Sequence, residues 1–450
     1  MAAAMALAII ATESAQAQTL ITLHSFARPQ GTLPRAGLIL ATDGNLYGTT
    51  YQGGANDEGA VFKITPSGGL TTLYSFCSQS SCADGSSPYA GLIQATDGNF
   101  YGTTYAGGAG NEGTIFKITL RGTLTTLHSF DGADGAYPYA GLIQATDGDF
   151  YGTTWGGGAN NDAGTVFKIT SDGTLTTLYS FCSISECLDG VNPWAGLVQG
   201  TDGSFYGTNL GGLSNEGTVF TITPDGTLTT LHSFDYTDGA YPYAGLVQAT
   251  NGNFYGTTFE GGARGDGTVF KITSSGTLTT QHSFDGADGN GPYAGLVQAT
   301  DGNLYGTTFE GNTVFKIIPG GRLTTLYTFD GADGVEPLGV LIQATNGDLY
   351  GTTYEGGAKN LGTVFSLSVG LGPFVETQPA FGKIGAEIKI LGTDLTNASS
   401  VTFNGTAAAF TVVSASLITA TVPAGATTGT VQVVTPNGAL NSNVRFRVSP

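Results

Sequence analysis

The run AGLIQATDGNFYGTTYAGGAGNEGTIFKITLRGTLTTLHSF (Ala90–Phe130) holds four short segments in which apolar residues alternate with small or polar ones. A period of two belongs to a half-buried strand. It predicts strand a at Ala90–Thr96, b at Asn99–Tyr105, c at Gly113–Thr119 and d at Gly122–Phe130. Asp97-Gly98 reads as a tight turn between a and b. Leu120-Arg121-Gly122 reads the same way between c and d. The pattern recurs, with Tyr-Gly-Thr-Thr or Tyr-Gly-Thr-Asn starting at Tyr47, Tyr101, Tyr151, Tyr206, Tyr255, Tyr305 and Tyr350. Four strands in roughly 50 residues, repeated in tandem, is the signature of a β-propeller blade.

Strand order along the chain predicts how such a ring closes. Strands b, c and d each occur seven times, but the first d, Thr19–Phe26, precedes every other strand, and none follows Val369. The expected fold is all-β: a seven-bladed β-propeller over 19–369, with the N-terminal strand completing the seventh blade so that no sheet edge stays open. Strand a then lines the channel and d lies outside. The short a–b and c–d turns share one face, and the longer d–a and b–c loops share the other.

Composition narrows the function classes. Gly supplies 72 of 450 residues without a period of three, which excludes collagen. The net charge of −19 leaves no basic face for nucleic acid. The acidity belongs to the repeat region, with 31 acids against 11 bases. Apart from 1–17, no segment has the apolar length of a transmembrane helix. Residues 1–17, MAAAMALAIIATESAQA, combine an apolar run with a small-x-small end and read as a signal peptide, although the basic start is missing. A secreted or cell-surface location is expected. Cys77 with Cys82 and Cys182 with Cys187 are equivalent C-x4-C pairs, which in that compartment read as two loop disulfides rather than a zinc site.

The motifs AGLI, DGNxYGTT, Gly-Gly, GTVFKI and LTTLYSF resemble the exported bacterial tandem-repeat family called GloVer, across 19–369. The Gly-Gly after strand b more weakly resembles kelch propellers. The resemblance implies a propeller-like surface or secreted protein and carries no activity. Gly370–Pro373 reads as a linker. From 374 to 450, PAFGKIGAEIKILGTDL, SVTFNGTAA and ITATVPAGATTGTVQVVTPNG are similar to an IPT/TIG domain, an immunoglobulin-like sandwich. Strands are expected there at Ala386–Leu391, Ser400–Phe403, Ala409–Val413, Leu417–Val422, Thr430–Thr435 and Val444–Val448.

Most chemistry-bearing residues recur with the repeat. His24, His128, His232 and His282 share one site in strand d with Tyr74, Tyr179 and Tyr327, so that site reads as structural. Asp131 with Asp134, and Asp285 with Asp288, lie in D-x-x-D-G loops whose hard oxygens suit Ca²⁺. Their spacing fits no EF-hand, and Asp-Gly is ordinary turn chemistry. Aromatic residues precede strand a at Tyr89, Tyr139, Trp194, Tyr243 and Tyr293, where the first and last copies carry Arg35 and Leu338. An aromatic-lined cup for a glycan or protein is expected on the long-loop face, set against simple packing between blades. The positions that break the repeat, Trp155, Trp194, Glu260, Glu310 and Glu355, are the favoured ligand contacts, beside a loop shortened to Glu310-Gly-Asn312. The primary expectation is a monomeric, non-catalytic binding or structural protein without a cofactor. The alternative is a carbohydrate-active hydrolase or lyase using acids at the channel mouth.

Overall fold

The computed structural model describes residues 18–449, and the leader reading at 1–17 lies outside them. Seven four-stranded antiparallel sheets of propeller-blade type follow one another. In the second, the strands run Ile93–Gln94, Phe100–Thr104, Thr114–Ile118 and Leu124–Ser129 in that order. The last sheet takes Ile342–Gln343, Leu349–Thr353 and Thr363–Ser368 from the seventh repeat and Thr19–Ser25 from the N-terminus. Thr19 pairs with Ser368 and Ser25 with Thr363. Phe26, fully buried, packs edge-on to Phe62 of the first sheet at 5.2 Å between ring centroids.

Strand a is a correction to the sequence reading. Seven residues were expected, and two form ladder pairs. The Ala-Gly segment ahead of them serves the neighbouring sheet instead. Thr103 Oγ1 donates to the Ala140 carbonyl at 2.9 Å, and Thr49 to Ala90 at 2.8 Å. The first Thr of Tyr-Gly-Thr-Thr therefore ties each sheet to the next. A second tie lies at the other end of strand a, where the Thr96 N–H donates to Gln144 Oε1 at 2.9 Å. Between the sheets the core is aromatic: Tyr101 stacks on Phe150 at 4.1 Å, and Tyr151 on Phe205 at 4.1 Å.

The recurring polar residues are absorbed structurally. His128, His232 and His282 hydrogen-bond Asp134, Asp238 and Asp288 through Nε2 at 2.6, 2.7 and 2.6 Å. The Tyr74 and Tyr179 hydroxyls donate to Asp84 and Asp189 at 2.6 and 2.7 Å. His and Tyr alternate because each offers a donor to the carboxylate of the same interblade turn. Cys77–Cys82 and Cys182–Cys187 are disulfides in two of these turns. Beside them, Asp84 and Asp189 are fully buried and accept backbone N–H groups from Ser78 and Ser183 at 2.9 Å.

In the a–b turns, Asp97 accepts from Lys117 Nζ at 2.8 Å and from Tyr101 at 3.0 Å. Burial alone would raise the Asp97 carboxyl, but Lys117, Asn99 and Tyr101 hold it down to about 2. Asp43, Asp84, Asp134 and Asp147 are also lowered. A carboxyl lowered in the fold stabilises it above its unfolded pKa, and that contribution is lost as pH falls through the folded value. The urea midpoint is therefore expected to hold near neutrality and to drop between about pH 4 and pH 2. Asp97→Asn should lower it at pH 7 and shrink the acid-induced fall. An unchanged midpoint down to pH 2 would contradict the assignment.

The C-terminal sandwich has one sheet of Glu376–Gln378, Glu387–Leu391, Leu417–Thr421 and Phe410–Ser414. The other holds Thr406–Ala407, Ser400–Phe403, Val431–Thr435 and Gly438–Asn441. Ile388, Ile390, Val401, Phe403, Ile418, Val431 and Val433 fill the space between them. The expected Val444–Val448 strand is shifted to Arg447–Ser449 and pairs in parallel with Phe381–Lys383. The sandwich rests on the a–b turn end of the repeat domain. The Phe374 N–H donates to the Thr345 carbonyl at 3.0 Å, and Thr393 and Thr345 hydroxyls meet at 3.1 Å. The first sheet carries Leu40 where later repeats carry the linking Gln, and Gln378 of the sandwich reaches the Leu40 carbonyl at 3.5 Å.

Candidate functional site

The residues ahead of all seven copies of strand a line one depression of about 180 Å³ on the end away from the sandwich. Its wall carries Arg35, Tyr89, Tyr139, Trp194, Tyr243, Tyr293 and Leu338, and Ala-Gly pairs form its floor. The floor is narrow because backbones meet there: a Cβ on Gly37 would lie 2.3 Å from the Val340 carbonyl oxygen. Each aromatic ring is held by the left-handed residue and proline before it. Ser87, Tyr137, Asn192, Tyr241 and Gly291, two residues ahead of Tyr89, Tyr139, Trp194, Tyr243 and Tyr293, all have φ between 49° and 58°. That conformation is costly for residues other than Gly and survives where its surroundings fix it. Here the N–H groups of Tyr137 and Tyr241 donate to the Glu112 and Glu216 carbonyls at 2.8 Å.

The rings are packed, and their faces remain half-buried. Tyr139 stacks on Trp194 at 4.1 Å, and Tyr243 stacks on Tyr293 at 5.1 Å. Trp194 meets Tyr243 edge-on at 5.3 Å. Burial pushes the Tyr139 and Tyr293 phenols well above their ordinary range, so both stay neutral donors. Arg35 stands in the gap between the last and first aromatic positions. Its guanidinium carbon lies 4.7, 4.5 and 4.4 Å from the ring centroids of Tyr51, Tyr89 and Tyr354. It donates to the Tyr89 hydroxyl, and to the Tyr354 hydroxyl at 3.0 Å. Burial raises the Glu336 carboxyl, Glu355 raises it further, and Arg35 opposes both.

The aromatic residues expected in a cup, Tyr89, Tyr139, Trp194, Tyr243 and Tyr293, are brought together. Trp155 packs behind them, edge-on to Tyr139 at 6.1 Å, and lies outside the lining. Glu260, Glu310 and Glu355 stand further out. Glu310 accepts from Asn290 Nδ2 at 2.9 Å, and Glu355 from Asn360 at 3.4 Å. Asp131/Asp134 and Asp285/Asp288 occupy separate turns. Asp131 Oδ1 accepts the N–H groups of Ala133 and Asp134, and Asp134 faces His128. Among the described residues no group of three or more His, Cys, Asp or Glu is arranged around a common metal position. Arg35 and Glu336 were not among the expected contacts. Arg35 breaks the repeat as plainly as Trp194, and that was the available signal.

Three overlapping stretches, 9–209, 122–313 and 183–365, match the Gloeobacter/Verrucomicrobia repeat. The chain belongs to that repeat family. Residues 375–448 match the IPT/TIG domain. No curated protein matches the chain in sequence. Among solved structures, a streptogramin B lyase is similar with a TM-score of 0.55 and 15% identity, over 79% of this chain and 99% of that one. A catalytically inactive histidine variant of virginiamycin B lyase from Staphylococcus aureus, solved with quinupristin, gives 0.55 and 16%, over 78% and 99%. The extracellular domain of a B. thetaiotaomicron hybrid two component system gives 0.52 and 10%, over 97% of this chain and 60% of that one. At these identities the likeness of the Gloeobacter/Verrucomicrobia repeats to the lyases is one of fold.

Proposed function

We propose that the chain is an exported, non-catalytic binding protein: a closed seven-bladed propeller that presents the aromatic cup to a ligand, with the sandwich as a spacer on the opposite face. Closure is supported by the seam between the last and first repeats. Thr352 Oγ1 donates to the Ala36 carbonyl at 2.9 Å, the same Thr-to-Ala tie that joins five of the six other neighbouring pairs. Export is supported by the two disulfides, which persist in oxidising compartments. The observation that carries the binding reading is the convergence of five aromatic side chains on one depression open to solvent. Flat rings with hydroxyl donors suit a glycan.

Binding without catalysis is favoured by where the histidines lie. All four histidines stand on outer strands, tied to Asp or Gln partners and absent from the lining of the cup. A glycan array probed with the full chain should retain a ligand. Trp194→Ala should weaken that binding about tenfold or more, as expected on losing a central aromatic contact. No retained ligand, or a Trp194→Ala protein that binds equally well, would refute the cup. A hydrolase or lyase is the second reading, and one observation favours it: the raised Glu336 carboxyl beside Glu355. Release of reducing ends from polysaccharide that stops in Glu336→Gln would establish that reading instead.

A further inference from the structure

Arg35 is a cation held in the cup without an anion. The guanidinium has five N–H donors. Two hydroxyls, of Tyr89 and Tyr354, accept from it, and Nε is buried with no partner. Among the described residues no carboxylate oxygen forms an ion pair with Arg35, although Arg28, Lys63, Lys117 and Lys168 each pair with an aspartate. Three tyrosine faces fix the guanidinium plane, so little freedom is lost when it takes a further partner. A guanidinium prepared in this way fits a carboxylate, which it meets through paired N–H donors.

We infer that the cup takes a uronic acid residue of a glycan, its carboxylate against Arg35 and its ring against Trp194 and Tyr89. This rests on the cup reading and adds the charge and the ring. The depression of about 180 Å³ has room for about one six-membered ring, with a floor of Ala and Gly backbone. Glu336 lies within electrostatic reach of Arg35 and, with Glu355 behind it, disfavours a doubly charged phosphate or sulfate ester at that place more than a singly charged carboxylate. The long loops carry only four bases among the described residues, Arg28, Arg35, Arg264 and Lys359. Of these, Arg35 alone lines the depression.

The test is calorimetry of the full chain with trigalacturonic acid and with its methyl ester. The acid should bind at least tenfold more tightly than the ester. Arg35→Gln should reduce the acid to the ester's level, with Arg35→Lys between the two because it keeps the charge and loses the fork. If the ester binds as well as the acid and Trp194→Ala abolishes both, the uronate inference fails and the cup stands. If neither ligand binds, the uronate inference fails, and the glycan array decides the cup separately. Should Arg35→Gln not fold, judged by its thermal transition, the comparison of acid and ester on the unaltered chain decides alone.

Discussion

A chain that begins at residue 27 is expected to lose the folded repeat domain. The missing strand, Thr19–Ser25, is the outer strand of the last sheet, and no other segment of the repeat pattern is left to replace it. Its removal exposes the edge of Thr363–Ser368 and empties the site of Phe26. That ring is fully buried among Leu38, Leu46, Phe62, Ile64 and Val364. Truncating a buried Phe to Ala alone costs about 3–5 kcal/mol. A domain's whole stability is about 5–15 kcal/mol. Phe26→Ala should thus lower the urea midpoint strongly while leaving the chain folded in water. The strand deletion should leave it unfolded or partly folded by near-ultraviolet circular dichroism. A synthetic peptide of residues 18–27 should restore the signal in proportion to its concentration, because it binds the folded form alone. A truncated chain with the full-length midpoint would show that the N-terminal strand contributes nothing to closure.

Gly152→Ala should also lower the urea midpoint, by less than Phe26→Ala, although a methyl group in a strand ordinarily helps. Gly152 is the glycine of Tyr-Gly-Thr-Thr, and its φ lies outside the left-handed region, so conformation alone would permit Ala. The obstacle is space. A Cβ there would lie 2.6 Å from Phe167 Cζ and 3.0 Å from Leu142 Cδ2. Phe167 is fully buried and is held edge-on by Phe130 at 5.4 Å, so it has nowhere to move. Overpacking of this kind costs about 1–3 kcal/mol. Phe167→Leu in the same chain should recover part of the loss by making room. Gly320→Ala is the control. It meets nothing within 4 Å, and its expected effect is neutral or a gain of up to about 1 kcal/mol. Equal midpoints for Gly152→Ala and Gly320→Ala would refute the steric account.

Much of the repeat architecture was legible because each sheet's pattern is printed seven times. Alternation located strands b, c and d to within a residue or two, and the displaced first d strand pointed to its pairing with the last sheet. Strand a was over-read for a physical reason. Ala-Gly-Leu-Ile-Gln alternates like a strand, but its first carbonyl is taken by a threonine of the neighbouring sheet, which one repeat read in isolation cannot reveal. The five aromatic cup residues were visible as a repeated position. Arg35 was visible in the same column, yet its rings come from three different sheets, and Tyr354 lies 319 residues away in sequence. Docking of the sandwich was hidden altogether, because the surface it meets is made of turns that look like every other Asp-Gly or Asn-Gly turn.

That docking has a geometrical consequence. Seven near-identical repeats would leave a ring with no zero of angle: rotated by one unit, it would present the same outline to anything approaching it. Leu40 marks the one junction without the linking glutamine, and Gln378, Phe374 and Thr393 attach around it. The sandwich thereby sets a compass heading for the repeat domain. Arg35 sits at that same junction on the far end of the axis, and the shortened Glu310–Asn312 loop lies one repeat before the last. Whatever carries the sandwich therefore also fixes the bearing of Arg35, the charged residue in the wall of the depression.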